Sequence, residues 1–137
     1  MIKVTFPAGF NLQPTSVYVT SFSGIDGNFT PSAAGQIVML TRHSGTATAA
    51  SSTIVIVLGG IENPAAVGMT GPFMIAVYGS DGVTEMHSDA GIPGVYIGTD
   101  TGTGSEQIKV SFCFRSRKGF RCESSANSAK SYEIMSL

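Results

Sequence analysis

The residue types that could do chemistry in this sequence are few, and their spacing decides what they can do. Two histidines, His43 in "TRHSG" and His87 in "EMHSD", are the only imidazoles among 137 residues. Ser88 and Asp89 follow His87, so the three residue types of an acyl-transfer triad stand side by side. Neighbours on an extended chain point to opposite faces, so they cannot converge on one reacting atom. There is also no G-x-S-x-G turn to expose a serine nucleophile. The expectation is a chain with no catalytic residues and no cofactor, hence not an enzyme. Asp81, Glu85, Asp89 and Asp100 sit among Gly-rich breaks, and such loop carboxylates are the ligands that calcium prefers. No EF-hand spacing accompanies them, so they are weak calcium candidates, with solvated turn acids as the plainer alternative.

The last quarter of the chain carries a different set. Cys113 and Cys122 enclose "FRSRKGFR". If "KVSFCFR" and "FRCE" form a hairpin with its tip near Arg117 and Lys118, the two sulfurs face each other across the strands. Cross-strand neighbours lie about 4.5–5.5 Å apart at Cβ, which is bridging distance. A disulfide there implies an oxidising compartment, and two reduced thiols are the alternative. Arg115, Arg117, Lys118 and Arg121 crowd the same tip, half of the eight basic residues in seven positions. They would meet an acidic partner, or simply keep an exposed turn soluble. Asn28-Phe29-Thr30 forms an N-glycosylation sequon in a Gly/Asp-rich stretch, consistent with secretion.

Charge divides the chain at the same place. Residues 1–106 hold two basic side chains against seven acids, a net −5; residues 107–137 hold six against two, a net +4. The reading is a body over 1–106 and a basic, Cys-containing hairpin and tail over 107–137, both within one domain. The overall balance of −1 argues against bulk electrostatic binding of nucleic acid. Charged residues make up only 12% of the chain, about half the usual share, which favours an extracellular or surface assembly over a cytosolic enzyme. No stretch reaches the ~20 apolar residues of a membrane helix. "MIKVTFP" is too short and too alternating for a signal peptide, so a mature fragment, an excised module or another export route is expected.

Strands must position these groups. "IKVTF" alternates apolar and polar residues with period two. "TSVYVTSF", "QIVMLTR", "PFMIAVYG", "GVYIG" and "QIKVSFCF" are rich in β-branched and aromatic residues, and "SYEIMSL" closes the series. "STIVIVL" is apolar throughout, as expected of a central strand covered on both faces. Breaks such as "SGIDGN", "HSGTATAASS", "GSDG" and "SDAGIPG" separate them. Between two strands, "GGIENPAAVGMTG" reads as a corner: Pro64 stops a strand, Asn63 caps the turn, and Gly68 and Gly71 supply positive φ. The pattern implies an all-β fold, an antiparallel immunoglobulin-like β-sandwich of about seven to ten short strands with a C-terminal basic hairpin. Met39, Met69, Met74 and Met86 are expected as core or turn filler.

"IKVTFPAGFNL" resembles the opening strand of immunoglobulin-like modules in large secreted and surface proteins of microbes and protists, where an I-x-V/I-x-F-P-x-G-F phrase is frequent. "LTRHSGT" and "VLGGIENPAAVGMTGPFMIAVYGSDG" look like later phrases of the same modules, and the likeness spans residues 2–98. It implies a β-sandwich for adhesion or for building a surface filament, with no catalytic residues. Its partners would be other copies of itself, another surface protein or a polyanionic glycan. The alternative is an adhesin-like binding module that recognises a glycan or cell-surface protein through end loops such as 79–94 and 98–105.

Overall fold

The computed structural model describes residues 1–48 and 54–98, together with the backbone of two further strands at 109–113 and 131–135. Among the described residues all regular structure is β, in thirteen strands. They are β1 (Ile2–Thr5), β2 (Asn11–Leu12), β3 (Tyr18–Ser23), β4 (Asn28–Ala34), β5 (Ile37–His43), β6 (Val55–Gly59), β7 (Ile61–Glu62), β8 (Gly68–Met69), β9 (Phe73–Tyr78), β10 (Glu85–Ile92), β11 (Tyr96–Ile97), β12 (Lys109–Cys113) and β13 (Ser131–Met135). No helix among these residues is long and apolar enough to cross a membrane.

Five strands form one antiparallel sheet in the order β10-β9-β1-β5-β4. The first strand of the chain is therefore its middle. Val4 lies opposite Val38 on β5 and Ile75 on β9, and all three are buried. Lys3, one residue earlier, lies in a row with Met39 and Ala76 on the other face. The period-two pattern of "IKVT" thus sorts its side chains as expected, buried at Ile2 and Val4 and half-buried between. Met1 extends the β1–β9 ladder by one step, since Tyr78 N–H donates to its carbonyl at 2.8 Å.

β6 pairs antiparallel with β3 and runs beside β12. Ile56, Val57 and Leu58 are buried in succession, so this strand is covered on both faces. One continuous cluster of buried side chains takes Val4, Val38 and Ile75 from the five-stranded sheet and Ile56 and Leu58 from β6. At one end of the cluster three rings meet: Phe6 lies edge-on to Phe10 at 5.4 Å and to Phe73 at 5.5 Å, and Phe10 and Phe73 are 5.6 Å apart. Such edge-to-face pairs add to the burial of the rings themselves.

The corner after β6 carries the chain from the β3–β6 pair to β9 in the five-stranded sheet, as its sequence implies. The parts act differently from expectation. Asn63 Oδ1 is buried and accepts no hydrogen bond among the described residues, so it does not cap the turn. Pro64 packs instead against Gly9, where a Cβ would lie 3.1 Å from the proline ring. Gly68 does take a positive φ, 134°, whereas Gly71 is needed for close approach to Pro7. The tightest position is one the sequence reading passed over. Gly60 has φ +75° and a Cβ there would stand 1.8 Å from the Ser16 carbonyl oxygen.

β12 pairs in parallel with β13, Lys109 opposite Ser131 through Cys113 opposite Met135. The second strand of the expected hairpin, "FRCE", lies in residues 114–130, outside the described residues. Two longer strands stand where breaks were expected. β4 begins at Asn28, the last residue of "SGIDGN", and contains the sequon, and β10 contains "EMHSDAGI".

Candidate interaction surface

The structure places His87, Ser88 and Asp89 in succession on β10, an edge strand, opposite Val77, Ala76 and Ile75. Consecutive register positions alternate in face, so no triad geometry arises. His43 ends β5 opposite Asn28, far along the chain from this group.

Two of the calcium candidates, Asp81 and Asp89, accept hydrogen bonds from residues two or three positions further along the chain. Asp81 Oδ1 accepts from the Val83 and Thr84 N–H groups at 3.0 Å each, and Oδ2 accepts from the Thr84 hydroxyl. The Thr84 hydroxyl, then the backbone donors, hold its carboxyl at about 2, well below the usual aspartate value. Asp89 Oδ1 accepts from Gly91 N–H at 2.8 Å. Glu85 opens β10 opposite Tyr78, and Asp100 lies outside the described residues. Among the described residues no three His, Cys, Asp or Glu side chains gather as a metal site would need.

Cys113 ends β12, placed by backbone alone, and Cys122 lies outside the described residues, as do Arg115, Arg117, Lys118 and Arg121. Asn28 opens edge strand β4. Asn28 and Thr30 are exposed while Phe29 between them packs on Phe22, ring centroids 5.2 Å apart.

One polar cluster escaped the sequence reading. Arg42 donates from Nε to the Asp26 carbonyl at 2.9 Å, from Nη2 to the Thr46 carbonyl at 2.7 Å, and pairs with the Asp26 carboxylate. Thr46 N–H and hydroxyl complete the ring onto Asp26 Oδ2 at 2.9 and 2.8 Å. The Thr46 N–H, then its hydroxyl, lower the Asp26 carboxyl below its ordinary value, and Arg42 adds to this. The knot ties the β3–β4 loop to the chain leaving β5. Gly27 and Gly45 leave no room there for a Cβ. The signals were Asp26-Gly27 and the "RHSGT" phrase, which separately look like ordinary turns.

The outward display is apolar. Met69 on β8 and Tyr96 on β11 are register partners, and they are 68% and 61% exposed. Their ribbon is fixed by Thr70, whose N–H donates to the Val95 carbonyl and whose hydroxyl accepts from Val95 N–H, both at 2.9 Å. Gly94 lets the strands close, since a Cβ would stand 2.1 Å from the Thr70 carbonyl oxygen. A second display sits at the β9–β10 hairpin. Gly79 N–H bonds to the Thr84 carbonyl at 2.8 Å, Asp81 holds the tip, and Val83 is 80% exposed. Met86 falls at a break in register between Glu85 and His87 and is 71% exposed. The methionines expected as filler are therefore divided: Met39 is half-buried, and Met69, Met74 and Met86 are exposed.

No family model, curated protein or solved structure matches this chain.

Proposed function

We propose that this chain is a non-enzymatic structural subunit of an extracellular or surface assembly, an immunoglobulin-like β-sandwich that self-associates in a filament, appendage or particle exterior. The observation that carries this reading is the Met69–Tyr96 pair. Large apolar side chains held outward on a pinned ribbon are what an interface buries, and Tyr and Met are enriched at such interfaces. The cluster shared by the five-stranded sheet and β6 supports a sandwich. The −5 and +4 ends supply complementary charge for contacts between copies, with Arg115, Arg117, Lys118 and Arg121 as the basic side. A Cys113–Cys122 bridge and a glycan on Asn28 belong to the same extracellular reading.

The test is light scattering after size-exclusion chromatography at low and high salt, with electron microscopy of the same fractions. Oligomers or filaments that weaken with salt are the expected result, because salt screens exposed charges. A clean monomer at both salts and at high concentration overturns the reading.

The Asp81-held hairpin favours a second reading, adhesion through end loops. A tip fixed by three hydrogen bonds to one carboxylate presents Val83 without an ordering cost on binding. A glycan and cell-surface protein screen in which no hit depends on Val83 or Met86 removes it.

A further inference from the structure

We propose that Met69 and Met86 are oxidation sites: a hydroperoxide converts their thioethers to sulfoxides on the folded chain, and both apolar displays become polar while the fold stays intact. The chemistry stands by itself, and its effect on association rests on the self-assembly reading above.

The strands sort four methionines by how open each position is. Met39 lies on β5, an interior strand, with Lys3 of β1 opposite it on one side and Ser32 of β4 on the other, and it is half-buried. Met74 lies on β9, also interior, opposite Thr5 of β1. On its other side it falls within the register break between Asp89 and Ile92, and it is 40% exposed. Met86 lies on the edge strand β10, inside the break between Glu85 and His87, so it has no register partner on β9 and is 71% exposed. Met69 has one register partner, Tyr96, on a two-stranded ribbon, and is 68% exposed. Exposure rises as flanking register partners are lost.

The reaction needs that openness. A sulfur lone pair attacks one oxygen of hydrogen peroxide and the O–O bond breaks. An S–O bond forms, sulfur gives up two electrons, and the attacked oxygen passes its proton to the departing hydroxide, which leaves as water. Solvent must reach the sulfur to stabilise that hydroxide, so susceptibility follows exposure. Two thiols reverse the change, taking the oxygen off as water and leaving as a disulfide.

The fold tolerates the product. None of these methionines belongs to the buried cluster shared by the five-stranded sheet and β6. A sulfoxide at 69 or 86 therefore meets water and leaves the core unchanged. The display changes, because a flexible apolar side chain becomes a polar one, and interfaces that rely on methionine are disrupted in this way.

The experiment is peptide mass mapping of the full chain after brief treatment with dilute hydrogen peroxide. It uses dilute protein in high salt, where the assembly reading expects separate chains. The same treatment in urea gives the unshielded rate of each methionine. Relative to urea, Met69 and Met86 should react nearly as fast in the folded chain, Met74 more slowly, and Met39 slower by roughly tenfold or more. A Met69→Leu, Met86→Leu double variant, treated alike, accounts for oxidation elsewhere, and oxidation at 69 and 86 should leave Tm unmoved. Shielding of Met69 or Met86 to the level of Met39, or a fall in Tm that the double variant lacks, overturns the proposal. Light scattering at low salt reads the consequence. Wild-type oligomers should weaken roughly tenfold on oxidation, and those of the double variant should not. Oligomers that withstand oxidation at both positions overturn the switch and leave the assembly reading to the charged ends. A wild type that is monomeric throughout ends the assembly reading, and the mapping and Tm alone then support or overturn the two sites.

Discussion

Replacing Phe6 by alanine tests the centre of the fold. Phe6 is 2% exposed and meets two other rings edge-on, at 5.4 and 5.5 Å. Truncating a buried phenylalanine costs about 3–5 kcal/mol, the lost transfer energy plus the cavity left behind. Phe10 and Phe73 are 5.6 Å apart and each also leans on Phe6, so the hole is lined by rings that cannot collapse without leaving their own sites. The upper half of that range, about 4–5 kcal/mol, is therefore expected. It is a large part of the ~5–15 kcal/mol that holds a domain folded. For a chain of this size it lowers Tm by roughly 10–20 °C. Phe22→Ala is the internal control. Phe22 is 39% exposed and touches one ring, Phe29, so its loss should cost only ~1–2 kcal/mol. The assay is urea unfolding followed by circular dichroism, comparing midpoints at equal slope. Equal costs for the two variants, or a Phe6→Ala cost below ~1.5 kcal/mol, would refute the three-ring centre.

Gly60→Ala should prevent folding or lower Tm sharply, because its Cβ would overlap the Ser16 carbonyl. Gly35→Ala, at φ +57° with open space around it, should cost only ~1 kcal/mol, and thermal melts distinguish the two. The folded-state values of Asp26 and Asp81 both lie below the ordinary 3.8, so their stabilisation is present above that pH and is lost as pH falls through the folded values. Melts of wild type between pH 6 and 2 should show this loss, and Asp26→Asn and Asp81→Asn should each flatten the curve. Peptide mapping without reductant, after oxidative expression, should join Cys113 to Cys122, and separate free thiols would remove the bridge.

What the sequence made legible follows burial. β1, β5, β6 and β9 are interior strands whose alternating or continuous apolar residues appear directly as runs such as "IKVT" and "VIVL". The two longer strands it hid, β4 and β10, are the edges of the five-stranded sheet. An edge strand needs few apolar residues and gains from proline, charge and bulges, so "NFTPSAA" and "EMHSDAGI" have the composition of loops. The displayed methionines were misplaced for a related reason. Period and composition show that a residue is apolar, and only the partner strand shows which way it faces. Met69 and Tyr96 are 27 positions apart, and nothing local announces that they share a register. The Asp26–Arg42–Thr46 knot joins two turns that each look complete alone.

The central place of β1 also fixes a timetable. Val4 pairs with Ile75, so β1 cannot gain its second neighbour until 71 further residues have been added. At a synthesis rate of about 5–20 residues per second, that interval is roughly 4–14 s. During it, β1 has only β5 beside it in the sheet, and Phe6 lacks Phe73. Long-range closure of this kind slows folding and prolongs exposure of apolar strand. Apolar strand therefore stays exposed until β9 arrives, and yield on expression should depend on how fast β9 is delivered as much as on the stability of the finished sheet.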